Sequence, residues 1–145
     1  DLGAWMSRRY EDWPSRLTDY LYSCDGRKFE WGVFDCALFS AGAIDAMTGL
    51  GVQAKYIGTY TSVKGALKKM QSGGFRSLLQ KTLAQEWGFE EIGVGYIQRG
   101  DAVLVDMANS EVLGVCVGTQ IALASMQDGL TYYPMSAAIT WWRIA

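Results

Sequence analysis

An α+β fold, with N-terminal helices packed on a C-terminal antiparallel curled sheet, is what this 145-residue sequence predicts. Apolar residues recur at helical spacing in the first half, whereas from residue 89 short runs rich in Val, Ile and aromatics alternate with turn residues. Half the residues are hydrophobic and 19% are charged, which supplies one core and places residues 1–145 in a single domain, with residues 1–11 as an extended N-terminal arm.

Pro14, after Asp12 and Trp13, starts the first helix, and Leu17, Tyr20 and Leu21 follow at helical spacing up to a turn at Cys24–Arg27. A second helix is predicted from Asp35 to about Met47. The Asp35 carboxylate can accept the free N–H groups of its first turn. Leu38, Phe39, Ala43 and Met47 line one side with Ile44 beside them, and Thr48–Gly51 closes it. A third helix fits residues 61–74, capped by Thr61 or Ser62, and a fourth fits residues 77–88. Six strands follow at 89–93, 101–106, 111–118, 120–125, 130–134 and 138–144, forming a sheet that curls toward a half-barrel.

Composition removes several function classes. A net charge of −2 without clustered Lys and Arg speaks against a nucleic-acid surface, and the longest apolar runs are strand-sized, far short of a membrane span. Cys24, Cys36 and Cys116 are widely spaced and no histidine occurs, so neither a zinc site nor a cofactor is expected. Three thiols without disulfide spacing suggest synthesis in a reducing cytoplasm, and no signal peptide is legible in the opening residues. Six Trp and eight Tyr, several near the chain ends, suit either core packing or a protein interface.

The chemistry converges on Cys36, which directly follows Asp35 at the start of the second helix. A helix amino terminus favours thiolate, and a sheet packed on it can present a histidine as proton shuttle with a third polar residue orienting the ring. Here no histidine exists. Asp101, Asp106, Glu111 and Asp128 are the acids of the sheet half, but a carboxylate titrating near 4 is poorly matched to a thiol near 8.5. Unassisted, such a thiol is about 3% ionised at pH 7, and the adjacent Asp35 charge opposes ionisation further. A small apolar core residue is therefore one reading of Cys36, and unconventional chemistry the other. Cys116 reads as core and Cys24 as a surface or half-buried thiol. Arg99-Gly100-Asp101 opens a predicted strand and reads as a turn rather than an adhesion signal. The stretch 71–75 lacks the ending of a phosphate loop.

The run Trp31-Gly32-Val33-Phe34-Asp35-Cys36-Ala37-Leu38-Phe39, the Arg-Gly-Asp strand opening and the final Trp142-Arg143-Ile144 resemble the NlpC-type branch of papain-like cell-wall peptidases. The resemblance is closer still to a family of small proteins from the tail gene clusters of long-tailed phages. It spans about Trp13 to Ile144. It implies an NlpC-type fold with Cys36 at the nucleophile position. The strand that begins His-Val-Gly in active members corresponds to Val112-Leu113-Gly114, so the resemblance puts the hydrocarbon Val112 in place of the base, and Gln120 stands for the third residue. The expected role is a non-catalytic structural or assembly protein of the phage virion, made in the host cytoplasm and placed at the tail tip. Its partners would be the tail hub and distal tail proteins, with three copies around the tail axis. The alternative is a peptidoglycan hydrolase acting through Cys36. A small-ligand groove lined by Trp31, Phe34 and Asp35 is a third expectation.

Overall fold

Helix α1, Trp13–Ser23, carries Pro14 in its first turn and ends at Cys24, whose N–H donates to the Tyr20 carbonyl. Only Leu17 is fully buried along it, which suits a helix with one face to the core. Helix α2, Cys36–Thr48, is capped by Asp35 and closed by Gly49, whose φ of 70° is readily adopted only by glycine at a helix exit. Every residue from Leu38 to Ile44 is buried, so α2 is enclosed on all sides. A Cβ at Gly42 would take the place of the Tyr20 hydroxyl, which donates to the Phe39 carbonyl and brings α1 close to α2. The boundaries of both helices follow the sequence signals.

A computed structural model describes residues 7–59, 61–62, 79–93, 95–107 and 110–145. The third predicted helix falls, apart from Thr61 and Ser62, outside the described residues. The fourth is present over Gln80–Glu86 as a wide π-type turn ending before Gly88. No described helix is long and apolar enough to cross a membrane. Part of the predicted arm, residues 8–11, lies against the body. The Tyr10 N–H donates to Met47, and the guanidinium groups of Arg8 and Arg9 stack over Phe89 and Trp13.

All six predicted strands form: β1 Glu90–Glu91, β2 Ala102–Met107, β3 Ser110–Cys116, β4 Gln120–Ala124, β5 Leu130–Pro134 and β6 Ala138–Arg143. They build one antiparallel sheet in the order β1-β6-β2-β3-β4-β5, so β1 and β5 are its edges. A register shift between Leu104 and Val105 bends the β2–β6 pair. Helix α2 lies on the face carrying Ala102, Leu104, Leu113, Val115, Ala122 and Ala124. The other face is also apolar, with Val103, Val105, Cys116, Ile121, Leu123 and Trp141 buried against residues such as Ile97 and Met135. The protein is thus α+β, with a sheet whose two faces each serve a core.

Trp141, Trp142 and Ile144 are buried, so the C-terminal aromatics close the core and offer no docking surface. Cys24 is also fully buried, contrary to the surface or half-buried reading: its turn folds back beneath α1. Central strand β3 depends on Gly114. A Cβ there would lie 2.5 Å from a Leu123 methyl and 2.7 Å from the Ala122 carbonyl oxygen, and the latter is backbone that cannot swing aside. Gly114→Ala should lower unfolding free energy by about 2 kcal/mol, read as a reduced urea midpoint.

Candidate functional site

A tight loop delivers the thiol to its place. Glu30 and Phe34 exchange backbone hydrogen bonds of 2.9 and 2.8 Å around Gly32, which takes φ 81°. The chain then extends through Asp35 and enters α2 at Cys36. The buried Asp35 carboxylate accepts from the Gly32 N–H and the Leu38 N–H, each at 2.9 Å, so one side chain stabilises both the loop and the first turn. Replacing it with alanine should cost about 2 kcal/mol or more, because two inward N–H groups lose a charged acceptor. Chemical denaturation of Asp35→Ala checks this. Asp35→Asn tests the electrostatic part separately, and it should bring the Cys36 thiol pKa down.

The thiol is partly buried and donates to the Ala124 carbonyl at 3.3 Å. Burial pushes its pKa up to about 12, the Asp35 charge acts in the same direction, and the contact with Ala124 opposes them. Desolvation has therefore overcome the helix-terminus effect that ordinarily favours thiolate. At pH 7 about one molecule in 10⁵ would be ionised. The Ser40 hydroxyl spans the carbonyls of Cys36 and Leu113, tying the first turn of α2 to β3.

Strand alternation decides what faces the sulfur. Val115 pairs with Ala122, and extending that register places Leu113 opposite Ala124. Leu113 and Ala124 belong to the core that packs against Cys36, whereas Val112 packs into the core on the opposite face. Leu113, and not Val112, is thus the β3 residue on the side of the sheet that carries Cys36. Gln120 is exposed at the far end of β4, four residues from Ala124 and about 13 Å along the strand. The structure does not bring it to Cys36; Ala124 occupies that end.

The predicted groove residues separate as well. Phe34 is fully buried, edge-on to Phe39 and beneath the Arg27 guanidinium, and Asp35 is occupied by capping. Trp31 is half-buried and meets Phe29 edge-on. Of the sheet-half acids, Asp101 binds Arg143, Asp128 accepts from the Phe29 N–H, and Asp106 and Glu111 are exposed. Sequence reasoning missed Leu113, Ala124 and Ser40 as the thiol's surroundings. Strict period-two alternation, applied from a correctly placed Gly114, was the signal that could have found the first two.

The thiols of Cys36, Cys24 and Cys116 and the Tyr20 phenol are all raised above their ordinary range, burial being the first cause for each. Unfolded thiols ionise from about pH 8.5. Above that pH the folded chain keeps protons that the unfolded chain has lost, so stability falls as pH rises. For Cys36 the loss runs from there to about 12, near 1.4 kcal/mol per pH unit. The urea midpoint should hold level between pH 7 and about 8.5 and then drop steeply, and Cys36→Ala should drop less steeply. A midpoint flat through about pH 11 would contradict the buried-thiol geometry.

No curated protein matches the chain. A family profile covering residues 8–144, described as a domain of unknown function, DUF6950, does match. That match takes in both helices, the capped thiol and all six strands, and the chain is a member of the DUF6950 family.

Proposed function

We propose that this chain is a structural and assembly protein of a phage tail tip, built on an NlpC-like papain fold whose catalytic centre has been converted into core. The observation that carries the non-catalytic part is the state of Cys36. Its thiol is spent as a donor to Ala124, its pKa is raised to about 12, and it packs against the core that contains Leu113. A peptidase nucleophile at that position needs a base within hydrogen-bond reach and a path for the substrate carbonyl. Loss of general-base assistance alone costs about 10²–10⁴ in rate. The tail-tip part is supported by the resemblance of the Trp31–Phe39 run, the Arg-Gly-Asp strand opening and the Trp-Arg-Ile ending. On this reading the partners are the tail hub and distal tail proteins, three copies surround the tail axis, and the protein is made in the host cytoplasm before entering the virion. Since Trp141 and Trp142 are buried, docking uses other surfaces.

The test has two arms. Purified wild type and Cys36→Ala should both leave a cell-wall zymogram uncleared, and wild type should co-purify with co-expressed tail hub and distal tail proteins. Thiol-dependent release of wall fragments, lost in Cys36→Ala, would establish the peptidoglycan hydrolase instead. Failure to associate with either tail protein would remove the assembly role.

A further inference from the structure

Edge strand β5 and helix α1 flank a cavity of about 430 Å³, lined by Thr18, Tyr22, Asp25, Arg99, Leu130 and Tyr132 among others. It lies at the sheet edge, and Cys36 does not line it. Two backbone hydrogen bonds fix the phase of the strand. Val117 donates to Gln120 across β3–β4, and Ser125 donates to Gly129 across β4–β5. Hydrogen-bonded pairs alternate in an antiparallel ladder, so Ile121–Tyr133 and Leu123–Thr131 exchange both bonds. The N–H and C=O groups of Leu130 and Tyr132 therefore point away from β4, toward an edge on which no strand pairs among the described residues, and both residues line the cavity; just before β5 the Gly129 N–H donates to the Arg27 carbonyl, which bounds the groove at that end.

We propose that an extended peptide segment of a partner protein adds to β5 in this groove, pairing with the outward amides of Leu130 and Tyr132 and placing an acidic side chain on Arg99. Strand addition requires an open edge, and pockets beside it give specificity to alternate side chains. Here Thr18, Leu21 and Tyr22 of α1 supply the facing wall. Tyr22, 76% exposed, and Tyr132, 48% exposed, offer two aromatic faces that cost little rotamer entropy on binding.

Charge selects the guest. Arg99 donates to the Val117 carbonyl and the Thr18 hydroxyl at 2.8 Å each, and has no carboxylate partner among the described residues. Two neutral acceptors leave further N–H groups of the guanidinium for a carboxylate. Arg99 sits near the Pro134 end of β5, across from Val117 and Gln120, whereas Asp25 sits near the Leu130 end beside the Gly26–Gly129 contact. One end of the groove thus favours an acidic residue and the other disfavours it, which sets register. The inference does not depend on whether Cys36 reacts or on the tail-tip reading.

The experiment pans the folded chain against a pool of random linear peptides about eight residues long, with Tyr132→Pro as counter-target. The Tyr132 amide makes no ladder bond, so proline there removes the docking donor while the β4 pairing stays; Tyr132→Ala keeps the donor and controls for the ring. Wild type should enrich peptides with Asp or Glu at one fixed position. The best of them should bind at least tenfold tighter than its Gln version and should shift the Leu130 and Tyr132 amide resonances. Arg99→Gln should erase the Glu-over-Gln preference. If Tyr132→Pro does not fold, methylating the peptide nitrogen that faces the edge serves the same purpose and should abolish binding.

No enrichment, or binding indifferent to both the proline and the N-methyl group, overturns the proposal. So does a concentration-dependent dimer lost in Tyr132→Pro, which would make the occupant a second copy. Amide shifts produced by N-acetylated oligosaccharides and by no peptide would make it a glycan.

Discussion

Leu113→His raises the thiolate population of Cys36 by about 100-fold or more, whereas Val112→His leaves it unchanged. The difference follows from the pleat alone. The β3–β4 register, extended beyond Val115–Ala122, places Leu113 opposite Ala124, whose carbonyl holds the thiol, and Leu113 shares the core with Cys36; Val112 faces the other way. An imidazolium within about 4–6 Å of a sulfur lowers its pKa by 1–3 units, and more in a dry site. Even three units from about 12 bring the thiol only to about 9, so an imidazole alone restores ionisation better than it restores catalysis. The variant should also lose about 1–3 kcal/mol, because a polar ring replaces a buried leucine. Alkylation by iodoacetamide across pH, read at Cys36 by peptide mass, measures the effect. In wild type the rate should be below about a thousandth of that of free cysteine at pH 7. Equal rates in the two histidine variants would mean that β3 is out of register with α2.

Helices α1 and α2 and the six strands were legible because local chemistry announces them. Asp35 and Gly49 mark the ends of α2 as capping rules expect, and β3, β4 and β5 are divided from one another by turn residues that the sequence spells out. The surroundings of the thiol were less legible. The absence of histidine can be read from sequence, but which of two adjacent hydrocarbons lies on the side of the sulfur depends on strand phase, and a shift of one residue reverses it. Burial of Cys36 is also a tertiary property. The same helix terminus that would activate an exposed thiol is outweighed once the sulfur lies under Ala124 and beside Asp35. Gln120 illustrates the remaining difficulty: its distance from Cys36 follows from where β4 enters the sheet, not from any residue near it.

Asp101→Ala should cost about 3–5 kcal/mol, a large share of the stability of a domain this size. The two motifs concerned, the Arg-Gly-Asp strand opening and the terminal Trp-Arg-Ile, are joined in space. Arg143 Nε meets Asp101 Oδ1 at 2.8 Å and Nη2 meets Oδ2 at 3.4 Å, while Oδ2 also accepts from the Gln98 N–H at 2.7 Å. The carboxylate thus connects the 96–101 loop with the end of β6, where Arg143 also donates to the Tyr96 carbonyl, while the Asp101 backbone carbonyl accepts from the Cys116 N–H of β3. The pair is lopsided, with Asp101 side chain 1% exposed and that of Arg143 24% exposed. Arg143→Ala therefore has a different signature from Asp101→Ala. Burial already raises the Asp101 pKa, and Arg143 and the weaker attraction of Arg9 hold it down. Without Arg143 it must rise further, so the folded state binds a proton that the unfolded state, titrating near 3.9, gives up. The loss in Arg143→Ala should then be largest at pH 7 and should shrink as pH falls through the raised value toward about 4. Asp101→Ala has no carboxyl to protonate and should show no such recovery. Urea midpoints of both variants at pH 7 and pH 5 distinguish the outcomes. A parallel response would mean that the arginine, and not the stranded acid, carries the cost.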